Sequence, residues 1–506
     1  MTTAAEMLQS EFGSYADIVR AHASERPDAI AVVAAGKRLT YAQLDQYADR
    51  VAVGLQRHGV KSGDCVAICG LNGWAYAALW VGILRAGGCV APLAQSSTAE
   101  AIGLMLADSA APLFFADANI VSEMTLPDTV TFVALDDDAA FEAWLPEEGV
   151  SPDSVEIDPD QGFNIIYSSG TTGTPKGIVQ SHQMRWRQVT AFGGAIFTPE
   201  TSAILSTPLY SNTTLVTFLP CLGNGGKAVL MQKFKTKKFL ELSEREKVTT
   251  AMLVPVQYKR LMEEPDFDSF DLSAYQVKFC TSAPFAAELK ADILKRWPGG
   301  LVEFYGMTEG GGSCALRAHE FPDKLHTVGQ PMPGHEIRLI DEEGKEVPSG
   351  EIGEIVGRSG TMMNGYKNRP EQTRETEWYD DEGNRFIRTG DVGRFDEDGF
   401  LTLMDRRKDM IISGGFNIYP SDLEAVVIEH PEVDEVAVIG IPSDDWGETP
   451  VGVVVGPSDA KAIKNWTNAK LGKTQRLAAV YIVDELPRSA IGKVLKRELR
   501  DSLKLG

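Results

Sequence analysis

The sequence predicts an α/β protein with a large N-terminal domain and a small α+β C-terminal domain. Between residues 29 and 112, short apolar runs alternate with segments whose apolar residues recur at helical spacing. This alternation is typical of layered α/β architectures. After residue 330, glycine and charged residues become dense, which indicates a β-rich subdomain. With 506 residues, the chain is also too long for one hydrophobic core.

The N-terminal elements follow from apolar spacing and from turn residues. Thr40 is a plausible N-cap for the helix that follows it. The segment 75–86 is apolar up to Leu84, as expected for a buried helix. The predicted strands are Ile30–Val33, Cys65–Cys69, Ala228–Met231, Ala251–Val256 and Val277–Cys280, and the predicted helices are Tyr41–His58 and Ala75–Ala86.

After residue 330, hairpin signals occur at Glu343-Gly344, Ser349-Gly350 and Asp398-Gly399. Five consecutive charged residues, 405–409, then separate two apolar strands. We therefore predict an N-terminal domain at 1–404 with its β-rich part at about 330–404, a connection at 405–409 and a C-terminal domain at 410–506. The predicted C-terminal elements are a helix at Pro420–Glu429, a strand at Val433–Gly440 and a helix at Lys461–Leu471.

Composition describes an ordinary globular protein, with 43% hydrophobic and 24% charged residues. The net charge of −22 argues against nucleic acid or an anionic membrane as a partner, because both require clustered Lys and Arg. The six cysteines are scattered, so we expect buried thiols in a reducing compartment. No signal peptide and no membrane-spanning segment is apparent, and we predict a cytoplasmic protein.

The run Tyr167-Ser168-Ser169-Gly170-Thr171-Thr172-Gly173-Thr174-Pro175-Lys176-Gly177 follows an apolar strand. Its glycines allow backbone N–H groups to approach a ligand, and its hydroxyls and lysine add further donors. Such a loop suits a polyphosphate. It is not the P-loop of kinases and ATPases, because Pro175 and Gly177 occupy positions where that motif requires glycine and Ser or Thr. A Gly/Ser/Thr-rich surface turn is the structural alternative.

Four other strings follow in order: Tyr305-Gly306-Met307-Thr308-Glu309, Thr389-Gly390-Asp391, Ser413 to Pro420, and Pro487 to Leu495. With the loop, they resemble the motifs of the AMP-forming adenylating enzymes, which include acyl-CoA synthetases, carrier-protein adenylation domains and luciferases. The resemblance extends from about Pro27 to the C-terminus. It implies ATP, Mg²⁺ and coenzyme A as ligands, and a C-terminal domain that moves.

The resemblance also implies individual roles. Lys493 would bridge the substrate carboxylate and the α-phosphate, and with Thr308 and Glu309 it forms the predicted catalytic set, in which Glu309 also ligates Mg²⁺. Tyr305 would stack on adenine, Asp391 would bind the ribose, and Arg406 would reach the ribose or a phosphate. The predicted ATP and AMP contacts are Ser168, Ser169, Gly170, Thr171, Thr172, Gly173, Lys176, Ser282, Ala283, Pro284, Tyr305, Gly306, Thr308, Asp391, Arg406 and Lys493.

In the family, the charged run is a hinge, and Lys408 matches the hinge residue. Gly414, Gly415 and Phe416 match the loop that lines the tunnel for the pantetheine arm of coenzyme A. On local evidence alone, a plain strand-to-helix turn is the less favoured alternative for these glycines. One lysine cannot serve adenylation and thiolysis without blocking the tunnel, which gives a physical reason for a moving domain.

The predicted acyl pocket contains Tyr210, Ser211, Asn212, Thr281 and Phe304. Residues 201–226 contain no charged residue, whereas amino-acid adenylation domains usually place an aspartate there. Ser211 stands where many ligases of hydroxycinnamates and fatty acids have histidine, and Thr281 and Phe304 replace glycines of aryl ligases. Larger side chains at these positions should narrow the pocket. We therefore expect an apolar aryl or medium-chain acid.

These features predict an ATP-dependent carboxylate–CoA ligase, an acid–thiol ligase of fatty-acid or aromatic-acid metabolism. Its partners would be a small carboxylic acid, ATP and coenzyme A, and it would be a monomer or a homodimer. Two alternatives remain. The chain could be a stand-alone adenylation enzyme that loads a separate carrier protein, or a nucleotide-binding homologue without catalysis. The joint presence of Lys176, Glu309, Asp391 and Lys493 argues against the latter.

Overall fold

The structure is a computed structural model that describes residues 2–168, 175–191, 193–194, 196–406, 409–413, 416–443, 447–456, 459–472, 475–488 and 494–503, with backbone alone at 168, 405–406, 416–417 and 447. The chain divides into two compact units. The first contains residues 1–325, 332–336 and 358–387, and the second contains residues 326–331, 337–357 and 388–506.

The helices are mostly short and follow strands along the chain, as an alternating α/β pattern requires. In chain order they are α1 Ala4–Leu8, α2 Tyr15–Glu25, α3 Tyr41–Arg57, α4 Trp74–Arg85, α5 Ala99–Ser109, α6 Ala118–Val121, α7 Asp138–Trp144, α8 His182–Ala191, α9 Asn212–Gly223, α10 Thr236–Arg245, α11 Pro255–Met262, α12 Ala287–Arg296, α13 Pro370–Glu375, α14 Pro420–Val427, α15 Ala460–Lys470 and α16 Lys496–Leu503.

The longest strands of the described residues lie after residue 299. In chain order they are β1 Ile30–Ala34, β2 Lys37–Thr40, β3 Cys65–Cys69, β4 Cys89–Pro92, β5 Leu113–Ala116, β6 Thr131–Ala134, β7 Gly162–Ser168, β8 Lys176–Ser181, β9 Ser202–Leu205, β10 Lys227–Leu230, β11 Thr250–Leu253, β12 Val277–Cys280, β13 Gly300–Met307, β14 Gly310–Arg317, β15 Gln330–Pro331, β16 Glu336–Ile340, β17 Gly353–Arg358, β18 Gly365–Tyr366, β19 Glu377–Tyr379, β20 Arg385–Phe395, β21 Leu401–Arg406, β22 Ile411–Ser413, β23 Phe416–Ile418, β24 Glu435–Ser443, β25 Gly447–Val455 and β26 Ala479–Val483.

Two mixed sheets organise the first unit. One contains the strand order β14-β13-β12-β11-β9-β10-β1-β2, and the other has the order β18-β8-β7-β4-β3-β5-β6. The central strands of both sheets are parallel. Antiparallel pairs occur at β1–β2 and β13–β14 in the first sheet, and at β7–β8 and β8–β18 in the second, whereas β6 pairs parallel with β5. Ligands of open α/β sheets bind outside the carboxyl ends of the strands, and the predicted site residues follow those ends.

Local sequence explains why the predicted N-terminal elements form. The Thr40 side chain accepts from the backbone N–H of Gln43, and the Gln43 side chain accepts from the backbone of Thr40, so this capping box starts α3 as predicted. Every residue of α4 is buried. All six cysteines are also buried, as expected. The predicted strand Ala251–Val256 is too long, because Pro255 begins α11 and a proline fits the first helical position.

The second unit is rich in antiparallel strands. Strands β20 and β21 form the hairpin predicted at Asp398-Gly399, and their pairing runs from Asp391 opposite Arg406 to Phe395 opposite Leu401. The last sheet has the order β23-β22-β25-β24, with β26 parallel to β25. Its two faces bury apolar side chains beneath α14, α15 and α16. The predicted limits of the domains stay predictions, since Lys408 lies outside the described residues.

Candidate active site

The predicted phosphate loop connects two adjacent strands of the seven-stranded sheet. Strands β7 and β8 pair antiparallel, with Ser168 opposite Lys176. The side chains of Phe163, Ile165 and Ile166 are buried, which fixes the N-terminal side of the loop to the core. The loop residues Ser169, Gly170, Thr171, Thr172 and Gly173 lie outside the described residues, and Ser168 is described by its backbone alone.

Tyr366 joins the base of this hairpin to Glu309. The Nζ atom of Lys176 lies 5.2 Å from the centroid of the Tyr366 ring, and the Tyr366 hydroxyl donates to Oε1 of Glu309 at 2.8 Å. Burial and the nearby Glu309 carboxylate raise the pKa of Tyr366, so its hydroxyl keeps its proton at neutral pH. The sequence analysis missed this residue.

The backbone next to Glu309 fits closely against the segment that carries Tyr366. Gly310 has φ +84°, and a Cβ atom there would overlap the carbonyl oxygen of Thr361. The backbone N–H of Met363 donates to the carbonyl of Glu309 at 2.8 Å. Only glycine satisfies both the left-handed conformation and the close approach. The position of the Glu309 carboxylate is therefore fixed from the backbone as well as from Tyr366.

Tyr305 belongs to the turn-proximal end of β13, and Thr308 and Glu309 form the turn between β13 and β14. Tyr305 is buried near the end of β13, and Gly306 follows it in an exposed position. The carbonyl of Thr308 accepts from Nε2 of Gln180 at 2.7 Å. Because Gln180 belongs to β8, this bond holds the Tyr305–Glu309 motif against the hairpin strand. The sequence analysis did not identify Gln180, which lies in a run that reads as an ordinary strand.

The loop after β12 has a strained residue at the position predicted to border adenine. Ser282 has φ +85°, which is uncommon for a residue other than glycine. Its hydroxyl lies 2.7 Å from the Thr213 hydroxyl of α9. Ala283 and Pro284 continue the loop. Strain of this kind persists where the surroundings enforce it and clusters at ligand sites.

The predicted acyl-pocket residues lie on the start of α9 and on the ends of β12 and β13. The Tyr210 hydroxyl lies 3.2 Å from the Ser96 hydroxyl, and burial raises the pKa of Tyr210. Ser211 is the buried N-cap of α9, and Asn212 begins the helix. The Thr281 hydroxyl donates to the carbonyl of Phe304 at 2.9 Å. These contacts bring the predicted pocket residues to one end of the sheet.

The Phe304 ring packs into an apolar cluster. Its centroid lies 5.5 Å from that of Phe279, and Val216 of α9 packs against the same cluster. Buried aromatic pairs of this kind resist displacement because they combine area burial with favourable ring geometry. Side chains thus fill space that glycine would leave open at position 304.

In the second unit, the predicted ribose residues lie opposite each other. Asp391 and Arg406 are directly paired residues of the antiparallel strands β20 and β21. The backbone N–H of Asp391 also donates to the Thr389 hydroxyl at 3.0 Å, which restrains the backbone at this position. The side chain of Arg406 is outside the described residues.

The other predicted residues of the second unit fall in undescribed segments. Lys408, Gly414, Gly415 and Lys493 lie outside the described residues, and Phe416 is described by its backbone alone. The residues that flank the Lys493 segment, Arg488 and Val494, form an isolated antiparallel bridge. Ser413 and Phe416, which flank the two glycines, are paired in β22 and β23.

Comparison with known proteins identifies the family. The family model described as AMP-binding enzyme matches residues 19–367, and the one described as AMP-binding enzyme C-terminal domain matches residues 422–493. The chain belongs to the AMP-binding enzyme family. A feruloyl-CoA synthase from Amycolatopsis sp is 34% identical to this enzyme over 490 residues, which cover 94% of this chain and 96% of that protein.

Two further proteins show how far the similarity of this AMP-binding enzyme extends. The fatty acid–[acyl-carrier-protein] ligase ScoC from Streptomyces coeruleorubidus is 30% identical, with 95% of this chain and 94% of that protein covered. The structure of ATP-bound MatB from Rhodopseudomonas palustris matches with a TM-score of 0.85 at 29% identity, covering 97% of this chain and 99% of that one.

These similarities confirm the predicted adenylate-forming family, the mixed α/β fold and an enzyme of the acid–thiol ligase class. Family membership also supports ATP as the nucleotide and coenzyme A as a substrate. Among the described residues, none of the helices has the length and apolar character needed to cross a bilayer. The roles of individual site residues, the oligomeric state and the cellular location stay predictions.

The residues around Glu309 fit a magnesium ion bound together with ATP. Within the described ranges, no group of three or more His, Cys, Asp or Glu side chains is arranged to hold a metal. Mg²⁺ does not require such a cage, because it commonly uses one or two carboxylates together with phosphate oxygens and water. Glu309 is partly exposed, and Tyr366 engages only its Oε1 atom. Its other oxygen would be the one to ligate the ion.

Tyr366→Phe is expected to lower kcat/KM for MgATP by about tenfold, because loss of the hydroxyl removes the group that orients Glu309. The phenyl ring still fills the same space, so the Tm should change little. Steady-state kinetics over a range of Mg²⁺ concentrations and thermal unfolding measure the two effects. A matching loss of Tm, or unchanged kinetics, would contradict the orienting role.

Proposed function

We propose that this protein is an ATP-dependent carboxylate–CoA ligase that works in two half-reactions. In the first, a carboxylate oxygen attacks the α-phosphorus of ATP, the bond to the β-phosphate breaks, and pyrophosphate leaves with acyl-AMP formed. In the second, the thiol of coenzyme A loses its proton, its sulfur attacks the acyl carbonyl, and AMP leaves. The observation that carries this proposal is the connection of Lys176, Tyr366 and Glu309 at the base of the phosphate hairpin.

The residues of the first unit would bind the triphosphate. Lys176 and the hairpin loop supply positive charge and donors, and Thr308 contacts a phosphate. Glu309 would hold Mg²⁺, which neutralises charge on the phosphates. Phosphoryl-type transfers depend mainly on positioning and electrostatics, so these fixed groups would supply much of the catalysis. Tyr305 and the Ser282–Pro284 loop would bind the adenine.

The residues of the second unit would bind the ribose and complete the chemistry. Asp391 accepts hydrogen bonds from the ribose hydroxyls, and Arg406 lies opposite it in the sheet register. Lys493 would contact the attacking carboxylate and the α-phosphate, where negative charge accumulates. Rotation about Lys408 would then remove Lys493 and bring Gly414, Gly415 and Phe416 to the pantetheine arm. This order explains how one chain performs two half-reactions.

The acid is proposed to be an aryl or medium-chain acid with an apolar frame. No charged residue occurs from 201 to 226, so this part of the pocket offers no partner for a substrate ammonium group. The Phe279–Phe304 pair limits the space for a bulky acyl group. The similarity to a feruloyl-CoA synthase agrees with an aryl acid.

One relative points to a second candidate acceptor for the acyl group, the thiol of a carrier protein. ScoC is named as a ligase that uses an acyl carrier protein. If this chain did the same, it would make acyl-AMP and transfer the acyl group to the thiol of a carrier protein. The first half-reaction and its residues would be unchanged.

The test is a release assay over aryl acids and straight-chain acids of C4–C16, with and without coenzyme A. We expect pyrophosphate release with a subset of acids and AMP release that depends on coenzyme A. A stoichiometric burst of pyrophosphate without turnover on coenzyme A, together with transfer to a carrier protein, would favour the second acceptor. Absence of pyrophosphate release with every acid would overturn adenylation itself.

A further inference from the structure

Arg185 is a fully buried cation that contacts Asn212, a residue of the predicted acyl pocket. It lies in α8, and burial lowers its pKa to about 9, so it remains charged at neutral pH. In the part of the chain that the structure describes, its bonded partners are four amide side chains and no carboxylate. Buried guanidinium groups are usually paired with an acid, because an uncompensated charge is costly in a low dielectric. The partners of Arg185 are Asn164, Gln180, Gln188 and Asn212.

The guanidinium determines how these amides are oriented. Arginine has donors and no acceptor, so each amide must turn its oxygen toward it. Nε donates to Oδ1 of Asn164 at 2.9 Å, and Nη1 donates to Oε1 of Gln188 at 2.7 Å. Nη2 donates to Oε1 of Gln180 and, at 2.9 Å, to Oδ1 of Asn212. The amide nitrogens therefore point away from Arg185.

Two of those nitrogens donate to other groups of the protein, as this orientation requires. Nδ2 of Asn164 donates to Oε1 of Gln180 at 2.9 Å, and Nε2 of Gln180 donates to the carbonyl of Thr308 at 2.7 Å. Arg185 thereby sets the orientation of the amide that holds the Tyr305–Glu309 motif. The Nδ2 group of Asn212 has no hydrogen-bond acceptor among the described residues.

Asn212 lies on the side of α9 that borders the predicted pocket. Residues four apart share one face of a helix, and Val216, four residues on, packs against the cluster that contains Phe304. The next residue, Thr213, contacts Ser282. Asn212 is partly exposed, whereas Asn164, Gln180 and Arg185 are fully buried. The amide of Asn212 is therefore oriented by Arg185 through its oxygen, and the residue remains partly accessible. A donor group of this kind is suited to binding a ligand.

The geometry points to Asn212 as a specificity-determining residue whose amide N–H groups bind an acceptor oxygen on the acyl group. This inference rests on the proposed function and narrows its substrate class. The preferred acid has an apolar frame that carries one carbonyl, ether or hydroxyl oxygen away from the reacting carboxylate. The cation bonded to the amide oxygen polarises the N–H groups and strengthens that bond.

A hydrocarbon acid of the same length would leave these donors unpaired. Leaving such a donor without a partner in the complex is expected to give a preference of about tenfold, or about 1.4 kcal/mol, for the acid that carries the acceptor. Asn212 would thus select acids by hydrogen bonding, whereas Phe304 would select them by size alone.

The experiment compares heptanoate with 4-, 5- and 6-oxoheptanoate on the full chain. Equilibrium binding is measured calorimetrically in the presence of AMP, and kcat/KM is measured by pyrophosphate release. Asn212→Asp keeps the shape and the contact with Arg185 but removes the donors, and Asn212→Leu removes both. Gln188→Leu is the matched control, because it takes one amide from Arg185 without altering Asn212.

We expect one oxo acid to bind the unaltered enzyme about tenfold more tightly than heptanoate. Both Asn212 variants should bring this ratio close to one, and Gln188→Leu should retain it. The ratio is measured within one protein sample, so partial loss of folding cancels. Binding preference without pyrophosphate release would overturn the proposed function and leave this inference standing.

Two results would overturn the inference. The first is equal binding of heptanoate and every oxo acid to the unaltered enzyme. The second is an equal loss for both kinds of acid in Asn212→Asp and Asn212→Leu, which would place the amide at the reacting carboxylate.

Discussion

Lys493→Ala is expected to reduce acyl-AMP formation by about 10²–10³-fold or more, while thioester formation from supplied acyl-AMP is largely retained. The reason is the charge that accumulates when a carboxylate approaches a phosphate. A lysine that contacts both groups stabilises the transition state more than the separated reactants. Alanine removes that charge, and in the proposed mechanism the second half-reaction does not need it.

The two half-reactions are measured separately. Pyrophosphate release reports adenylation, and conversion of chemically prepared acyl-AMP with coenzyme A reports thiolysis. Lys470→Ala is a suitable control, because Lys470 is an exposed lysine of the same unit that pairs with Glu429 at 2.7 Å. It should leave both rates unchanged. An equal loss of both steps in Lys493→Ala would refute the proposed role.

Glu309→Gln is expected to lower kcat/KM for MgATP by about 10²-fold and to raise the Mg²⁺ concentration needed for half-maximal activity. Glutamine has nearly the same shape, and its amide oxygen can still accept from the Tyr366 hydroxyl. The fold around Gly310 and Met363 should therefore persist. What is lost is the negative charge that Mg²⁺ prefers in a protein ligand.

Kinetics over a Mg²⁺ series test this expectation, with Glu263→Gln as the control. Glu263 is an exposed carboxylate of the same unit that faces Lys259 at 4.0 Å. Tyr366→Phe should add little to Glu309→Gln, because both changes act on one interaction and their effects should not add. Full activity of Glu309→Gln at low Mg²⁺, or additive effects in the double variant, would argue against the metal site.

Much of the fold was predictable because its signals are local. The Thr40 capping box, the fully buried α4 and the buried β3 each depend on residues adjacent in sequence. The strand before the predicted phosphate loop was predictable for the same reason, since it is an apolar run, whereas the pairing of β7 with β8 was not predicted. The end of β11 was misplaced because Pro255 fits the start of a helix as well as the end of a strand.

Contacts between distant segments had no such signal. Tyr366 is 57 residues from Glu309, and Gln180 is 128 residues from Thr308. Each of these residues looks unremarkable in its own segment, within a short strand or an apolar run. Only the pairing of β18 with β8 and the orientation of β13 bring them to the site.

The sequence by itself determined the family, the order of the motifs and the residues predicted to bind ATP, because these depend on short strings with fixed chemistry. The tertiary structure decided how those strings are held. It placed Tyr366 between Lys176 and Glu309, and it surrounded the Arg185 cation with amide oxygens. The physical reason is that hydrogen-bond direction and burial depend on which segments pack together, and packing is not encoded in any one segment.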